Sequence, residues 1–420
     1  MVRIEHGSTH EAVRRHNLSV VLRQLHLQGA LSRSELAART ELNRSTIKAL
    51  VEQLDSLDLV VEGDLDLRGT RGRPSTMVGI RSDQVVTLAV EIAVDSIAVA
   101  VVGLGGHVLD IRRVDRGTDG AAGTDVDDML GTIHALATEL CQPDRPVVGA
   151  GVAVVGIVRR ADGFVHVAPN LGWTAVPLGE LVASRVVQEV LGYDVPVSVA
   201  NEADLGVLAE HTRGAAQGAA DVVYLSGEVG IGGGIIADGR WLTGARGYAG
   251  EIGHMPVNPD GLRCGCGGRG CWETEAGERA LLRLAGDANR PDAPDAPGRR
   301  SGAGAVDEIV TAARGGDPQA GYAVGEVARW LGIGLAGLIN VFDPERVVLG
   351  GMYGRAFDVL EPTLVEILKD RALTPSSGTE LVPAALATAA PLVGAAELAF
   401  TPLLEQPDRV MDALMNRRSQ

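Results

Sequence analysis

The chain has 420 residues, 45% of them apolar, which allows two or three domains with hydrophobic cores and excludes a largely disordered protein. It has no run of eighteen apolar residues, and its polar N-terminus lacks the apolar stretch of a secretion signal, so we expect a cytoplasmic protein without a membrane span. The net charge of −16 excludes a surface that coats nucleic acid along the whole chain.

The charge is unevenly distributed. Residues 1–80 hold 11 Lys and Arg against 10 Asp and Glu, whereas the remaining residues hold 27 against 44, so the net charges are +1 and −17. A nearly neutral N-terminal head on an acidic body fits a head that approaches DNA and a body that does not. Chance variation along the chain would give the same contrast, so the charges alone do not establish a DNA-binding head, and the sequence motifs are needed as well.

Three helices are predicted in the head. The first ends before Gly29, and its apolar face repeats at i, i+3, i+4 and i+7: Leu18, Val21, Leu22 and Leu25. Ser32-Arg33-Ser34-Glu35 has the pattern of a capping box and predicts a second, short helix through Leu36, Ala37 and Ala38. After a turn at Thr40-Glu41-Leu42, Asn43 is placed to cap a third helix, whose apolar face repeats in the same way: Ile47, Leu50, Val51 and Leu54.

The second and third helices predict helix-turn-helix geometry, in which the later helix presents its N-terminal polar residues to a major groove. The candidates for these DNA contacts lie on the exposed side of the third helix: Arg44, Ser45, Thr46 and Lys48. An ordinary three-helix bundle with a charged outer face would show the same helices.

The stretch LVVEGDLDLRGTRGRPS favours the DNA-binding interpretation. It predicts a short strand, a turn at Gly63-Asp64 and a flexible hairpin whose arginines would reach phosphates or a narrow minor groove: Arg68, Arg71 and Arg73. A basic interdomain linker is the alternative. We therefore expect residues 1–80 to form a winged helix-turn-helix domain. One such head reads too few base pairs for genomic specificity, so a homodimer or homotetramer on paired operator half-sites is expected.

The stretch GHMPVNPDGLRCGCGGRGCWE, residues 253–273, holds three of the four cysteines and raises the choice between a metal, a redox and a disulfide site. Its imidazole and three thiols match a closed, structural zinc site: His254, Cys264, Cys266 and Cys271. Three cysteines cannot pair evenly, and disulfides are disfavoured in a reducing cytoplasm. A redox motif more often has two residues between its cysteines. The remaining Cys141 is predicted to be buried apolar filler.

From Val85 onward, short apolar strands alternate with helical segments and end in glycine or polar residues. The Gly253-His254 pair, nine further residues and the run Cys264-Gly-Cys-Gly-Gly-Arg-Gly-Cys-Trp-Glu273 resemble the signature of the ROK family of transcriptional repressors and sugar kinases. The resemblance covers nearly the whole chain, including the winged head of the regulator branch, of the xylose-repressor and N-acetylglucosamine-repressor type. It implies two actin- and hexokinase-like α/β lobes after the head: residues 82–204 plus 389–420, and residues 205–388 with the zinc loop.

The resemblance also implies a nucleotide cleft, and three motifs depart from the kinase pattern. The Asp-x-Gly-x-Thr turn is Glu91-Ile-Ala-Val-Asp95 here, and the Gly-Thr that opens the second glycine turn is Glu228-Val229. The catalytic aspartate of Asn-Asp-Ala-Asn is replaced by Glu202. A lost glycine and added carboxylates disfavour bound phosphates. We expect no kinase activity; an ATP-dependent, glucokinase-like sugar kinase is the alternative.

The sugar side of the implied cleft keeps the polar residues of the family. Carboxylates, amides and an imidazole offer fixed acceptors and donors for sugar hydroxyls, and the resemblance assigns them to these positions: Asn170, Asn201, Glu202, Glu251, His254 and Glu273. Support of the zinc loop is the alternative role. The sequence thus predicts a carbohydrate-responsive repressor with a non-catalytic body.

Three later segments are predicted from composition and periodicity. The stretch Ala285–Gly304 is rich in Pro, Ala, Gly and Asp and predicts a mobile surface loop. The stretch Leu331–Gly351 predicts a helix of small residues, a loop and a strand. A last helix near Ala395–Leu404 is expected to cross back to the first lobe.

Overall fold

The computed structural model describes residues 9–65, 76–116, 125–245, 247–286, 303–373 and 378–418. The helices are α1 Thr9–Gln28, α2 Arg33–Thr40, α3 Arg44–Ser56, α4 Val126–Leu140, α5 Leu178–Val182, α6 Gln188–Leu191, α7 Glu202–Arg213, α8 Trp272–Ala276, α9 Glu278–Leu284, α10 Ala303–Arg314, α11 Pro318–Phe342, α12 Gly351–Arg355, α13 Phe357–Arg371, α14 Ala390–Glu405 and α15 Pro407–Arg418. The strands are β1 Leu31–Ser32, β2 Val60–Leu65, β3 Thr76–Ile80, β4 Val86–Ile92, β5 Ser96–Gly103, β6 His107–Asp115, β7 Val147–Val154, β8 Ile157–Arg159, β9 Phe164–Ala168, β10 Trp173–Val176, β11 Val197–Asn201, β12 Val222–Gly227, β13 Ile231–Ala237, β14 Arg240–Trp241, β15 Arg346–Gly350 and β16 Glu380–Pro383.

The head contains α1 to α3 and a three-stranded sheet in the order β1-β3-β2. The predicted capping box is confirmed, because the Glu35 amide donates to Ser32 Oγ at 3.2 Å and the Ser32 amide donates to Glu35 Oε2 at 2.7 Å. Asn43 caps α3 as predicted, its Oδ1 accepting from the Thr46 amide at 2.8 Å. The predicted apolar faces of α1 and α3 are buried and pack in one core.

The predicted turn at Gly63-Asp64 is wrong. Both residues lie inside β2, at an irregularity in its pairing with β3 between Gly63 and Leu65. A bulge bends a strand without ending it, so a Gly-Asp pair that reads as a turn is accommodated within the ladder. The predicted wing arginines, Arg68, Arg71 and Arg73, lie outside the described residues.

The first lobe is built on a sheet in the order β11-β7-β4-β5-β6, in which β4, β5 and β6 are antiparallel and β7 and β11 run parallel to β4. The helix predicted near Ala395–Leu404 is α14, which packs on this sheet as expected; it is followed by α15 and is not the last helix. A Cβ at Gly149 would lie 2.5 Å from the Ala399 carbonyl oxygen, and one at Gly151 would lie 1.9 Å from that of Ala395. These glycines therefore let the helix backbone rest directly on the strand.

The second lobe is built on a sheet in the order β14-β13-β12-β15-β16, covered by α8 to α13. The predicted helix, loop and strand of residues 331–351 are confirmed as the end of α11, its connection and β15. Trp272 is fully buried against α11, where a Cβ at Gly334 would lie 2.1 Å from its indole ring. Of the predicted loop Ala285–Gly304, residues 287–302 lie outside the described residues.

Helix α7 stands between the two lobes. Its Ala203 packs against Gly232 of β13. A Cβ at Gly394 of α14 would lie only 2.0 Å from the Leu205 carbonyl oxygen, so α7 and α14 are in close backbone contact. The predicted lobe boundary between residues 204 and 205 falls inside this helix. The domain division stays a prediction, and its boundary is better placed at one end of α7.

Two helical segments, Pro318–Phe342 and Ala387–Glu405, are long and apolar enough to cross a membrane by length and composition. Their most apolar windows are 56% and 61% buried within the chain. Both segments are core helices of the two lobes, which explains their apolar composition without a membrane.

Candidate functional site

The four predicted zinc ligands lie together. His254 ends a short 3-10 turn, Ile252–His254, and Cys264, Cys266 and Cys271 lie on the glycine-rich loop that leads into α8. One ligand atom from each residue lies within 4.8 Å of the other three. The structure therefore brings together a complete set of one nitrogen and three sulfur donors.

Two distances in this cluster match a tetrahedral zinc site. The Cys264 Sγ lies 3.6 Å from His254 Nδ1, and the Cys266 Sγ lies 3.7 Å from the Cys271 Sγ. Zinc bonds of about 2.3 Å to sulfur and about 2.0–2.1 Å to nitrogen give tetrahedral edges of about 3.8 Å between sulfurs and about 3.6 Å between sulfur and nitrogen. The residues fit the metal, which would cross-link the loop and fix the ring of His254.

Backbone amides support the thiols of the loop. The Cys266 amide donates to Cys264 Sγ and the Gly268 amide donates to Cys266 Sγ, each at 3.4 Å. The Gly268 hydrogen bond lowers the pKa of the Cys266 thiol, whereas burial raises the pKa of Cys271. Glycine is required at position 270, with φ of 64°, because a Cβ there would lie 1.5 Å from the Asn258 carbonyl oxygen.

Glu273 and His254 connect the metal cluster to the predicted sugar side. The Cys264 thiol donates to Glu273 Oε1 at 2.9 Å, and that oxygen lies 3.5 Å from His254 Nδ1. The other carboxylate oxygen, Glu273 Oε2, packs against the second glycine turn, where a Cβ at Gly230 would lie 2.5 Å from it. The far ring nitrogen, His254 Nε2, lies 3.9 Å from Glu251 Oε2. His254 thus turns one nitrogen to the metal cluster and the other to Glu251.

The predicted sugar residues of the first lobe lie around Gly156. The Asn201 Oδ1 caps α7 by accepting from the Ala203 amide at 2.8 Å, and its Nδ2 donates to the Gly156 carbonyl at 2.9 Å. A Cβ at Gly156 would lie 2.8 Å from Ala168, two residues before Asn170. Asn170 is exposed, in the turn after β9. Both asparagines therefore lie close to the end of β7.

The first turn of α7 joins the two sides. Asp204 is 7% exposed, and its Oδ1 accepts from Trp241 Nε1 at 3.1 Å. The same oxygen lies 3.6 Å from where a Cβ at Gly250 would be, so the loop that carries Glu251 packs on α7. Burial raises the pKa of Asp204 to about 7, and the charge of Glu251 adds to the shift. The Arg160 guanidinium stacks 3.6 Å over the Trp241 ring.

The contacts among Asp204, Trp241 and Arg160 were not predicted from the sequence. Asp204 is the last residue of Asn201-Glu-Ala-Asp204, the run that stands where the kinases have Asn-Asp-Ala-Asn. Its place in the first turn of a capped helix was a signal that could have identified it. Arg160 and Trp241 carried no local signal, because they meet only when the two lobes pack. We use the term candidate cleft for the region bounded by the predicted sugar residues and by the carboxylates described next.

The carboxylates of the three altered kinase motifs lie in one region. Burial raises the pKa of Glu202 to about 8, and the charges of Glu228, Glu91 and Asp95 add to the shift. Burial likewise raises the pKa of Glu228 to about 7. Glu91 is 7% exposed, and Arg113 Nη2 donates to its Oε2 at 2.8 Å. This side of the candidate cleft is therefore acidic, whereas a phosphate site presents backbone amides and cations.

The predicted DNA-reading face lies on the N-terminal half of α3. Arg44, Ser45 and Lys48 are exposed, and Thr46 is half-buried. Lys48 Nζ lies 3.6 Å from Glu52, an exposed pair that is weak and leaves the lysine accessible. Arg44 has no ion pair within the described ranges. The structure thus places two cations and one hydroxyl on one solvent-facing helix end.

The fold and the candidate cleft define a two-lobed α/β protein of the actin and hexokinase type, with a helical and β-stranded head. The ROK family model matches residues 87–401, so the chain belongs to the ROK family. It is 30% identical over 372 residues to a xylose repressor of Caldicellulosiruptor bescii, covering 86% of this chain and 90% of that protein. It is 34% identical over 338 residues to a glucokinase of Streptomyces coelicolor, covering 77% of this chain and 99% of the kinase.

A solved structure extends the likeness to the head. The crystal structure of a ROK family transcriptional regulator, a homologue of the Escherichia coli Mlc protein, matches with a TM-score of 0.76 and 26% identity. The match covers 96% of this chain and 100% of that structure. The predicted order of an N-terminal head and a two-lobed α/β body is therefore confirmed. The winged helix-turn-helix assignment of the head stays a prediction.

Proposed function

We propose that the protein is a sugar-responsive, DNA-binding transcriptional repressor whose body binds a carbohydrate and does not phosphorylate it. The observation that carries this proposal is the contrast between the two sides of the candidate cleft. The sugar side combines amide, imidazole and carboxylate groups, and the phosphate side brings Glu91, Asp95 and Glu228 together beside Glu202. Asp95 and Glu228 stand where the kinase pattern has a threonine and a glycine, so groups that hold phosphates are missing. A nucleotide triphosphate is therefore disfavoured there, and an uncharged sugar is not.

The raised pKa of Glu202 makes it a weaker general base at neutral pH. A general base must be deprotonated to accept a proton from a sugar hydroxyl. With a pKa of about 8, Glu202 carries a proton in most molecules at neutral pH. In place of a base, the protonated acid donates a hydrogen bond to a bound hydroxyl.

The remaining partners follow from the head and the metal cluster. We propose that α3 contacts operator bases through its exposed N-terminal residues and that the wing arginines, Arg68, Arg71 and Arg73, contact phosphates or the minor groove. A structural zinc would be held by His254 and the three loop thiols. We propose a homodimer or homotetramer that acts in the cytoplasm on paired half-sites, because one head reads too few base pairs.

A carbohydrate panel and a phosphorylation assay test the proposal together. A sugar at about 100 times its dissociation constant stabilises the folded state by about 2.7 kcal/mol. With an unfolding entropy of about 2.1 cal/mol/K per residue, 420 residues give a rise in melting temperature of about 3 °C. The Glu251→Ala variant should lose this rise.

The sugar that stabilises the protein is then mixed with magnesium and ATP, and the release of ADP is measured. The proposal expects no release above background. Turnover of about one per second or faster, in the range of ordinary enzymes, would contradict it and support a glucokinase-like activity.

A further inference from the structure

A buried polar cluster joins the head to both lobes. His26, at the end of α1, is 1% exposed, and its Nε2 lies 2.8 Å from Glu397 Oε2 of α14. Arg213, the last residue of α7, donates from Nε to Glu397 Oε1 at 2.8 Å and from Nη1 to the His26 carbonyl at 2.8 Å. We call His26, Arg213 and Glu397 the head latch.

The hydrogen bonds fix the orientation of the imidazole. The Gly105 amide, in the turn between β5 and β6, donates to His26 Nδ1 at 2.9 Å, so this nitrogen is an acceptor. The other ring nitrogen, Nε2, then donates to Glu397. Arg213 Nη2 lies 2.7 Å from the same Nε2; both atoms carry hydrogen in this arrangement, so this is a close approach and not a hydrogen bond.

The head latch is tightly enclosed. The side chains of His26, Glu397 and Arg213 are 0%, 3% and 16% exposed. The Phe400 ring packs edge-on against His26, with ring centres 5.4 Å apart. A Cβ at Gly106 would lie 2.6 Å from Arg213 Nε, so the turn also closes on the guanidinium. Burial alone would raise the pKa of Glu397, but the His26 hydrogen bond and the Arg213 charge hold it below its usual value.

Helix α7 reaches from the head latch to the candidate cleft. Its N-terminal residues are the capping Asn201 and Glu202, and its C-terminal residue is Arg213. Twelve residues at about 1.5 Å each make a rod of about 18 Å. The rod is packed on both sides, against β13 through Ala203 and against α14 at Gly394. A helix held in this way moves as a unit, because close-packed elements shift as rigid bodies.

We propose that α7 couples the candidate cleft to the head: a ligand that changes the position of Asn201 and Glu202 moves Arg213, and the head latch passes this movement to α1. This inference rests on the proposed function, because it assumes a sugar in the cleft and DNA on the head. Arg213 is thus a positioning residue, which contacts neither ligand.

The proposed coupling can be measured as the effect of each ligand on the affinity for the other. If sugar changes DNA affinity by a given factor, DNA changes sugar affinity by the same factor. A substitution that only destabilises the fold leaves this factor unchanged in the molecules that remain folded. The quantity to measure is therefore the ratio of DNA dissociation constants with and without saturating sugar, together with the ratio of sugar dissociation constants with and without DNA.

The test compares Arg213→Met with Arg15→Ala in the full chain. Arg15 Nε pairs with Asp408 of α15 at 3.3 Å, a contact between head and body that does not involve α7. Arg213→Met should bring both ratios to within about twofold of one, and Arg15→Ala should keep the wild-type ratios. Glu397→Gln keeps the shape of the head latch and removes the charge of the carboxylate. It is the test variant if Arg213→Met does not fold. It should lower both ratios as well.

Two results would overturn the inference and leave the proposed function standing: a folded Arg213→Met or Glu397→Gln protein with wild-type ratios, or an equal loss of coupling in Arg15→Ala. The second would mean that attachment of the head in general, and not α7, carries the coupling. A wild-type protein whose own ratios equal one would instead refute the proposed function, and the inference with it.

Discussion

Replacing Glu202 by glutamine should stabilise the protein at neutral pH. Burial and the neighbouring carboxylates raise the pKa of Glu202 from 4.5 to about 8, so the folded chain holds this proton more tightly than the unfolded chain does. Folding stability therefore falls as the pH rises from about 4.5 towards about 8, where the loss is complete. Glutamine has no proton to lose and avoids this penalty.

The size of the effect follows from the shift. Each pKa unit is worth about 1.4 kcal/mol, so at pH 7 the wild-type chain has lost about 3 kcal/mol, and at pH 5 less than about 1 kcal/mol. The gain of Glu202→Gln at pH 7 is therefore about 3 kcal/mol. For 420 residues this raises the melting temperature by about 3–4 °C.

Thermal unfolding of Glu202→Gln and wild type at pH 5 and pH 7 measures this difference. The matched control is Glu366→Gln, an exposed position on α13, which should change the melting temperature little at either pH. If Glu202→Gln and wild type show the same dependence on pH, the carboxylates do not cluster around a buried Glu202 as described.

Three further predictions concern the metal, the DNA and the sugar. Purified protein should contain about one zinc per chain and Cys271→Ser much less, by elemental analysis, because a three-ligand site no longer closes the tetrahedron; zinc-free, folded wild type would contradict this. Arg71→Ala should weaken DNA binding and reduce the slope of log affinity against log salt by about one, and a slope equal to that of the wild type would refute the wing assignment. Ser45→Ala should instead change the sequence preference. Glu251→Ala should abolish the response to sugar and keep sugar-free DNA binding, as measured by fluorescence anisotropy.

Local patterns in the sequence predicted the parts of the structure that depend on neighbouring residues. The capping box at Ser32–Glu35 needs only four consecutive residues, and the metal cluster needs one histidine and a loop of eight. Both were found because their geometry is set within one segment. The turn predicted at Gly63-Asp64 was wrong because only pairing with β3 decides whether such a pair bends a strand or ends it.

Contacts between distant segments could not be predicted in this way. His26 and Glu397 are 371 positions apart, and Asp204 and Trp241 come from elements that meet only when the lobes pack. Neither pair has a periodic pattern or a spacing of its own. The candidate cleft was therefore predicted residue by residue through the family resemblance, whereas the head latch required the tertiary structure.

The most direct test of a sugar-responsive repressor is the affinity of the full chain for DNA from upstream of its own gene, measured by fluorescence anisotropy at fixed salt. The titration is done with and without a saturating amount of the sugar that raises the melting temperature, and without ATP. We expect the sugar to weaken DNA binding by about tenfold or more, a coupling of about 1.4 kcal/mol or more. A DNA affinity that stays within about twofold of its sugar-free value would contradict the proposal.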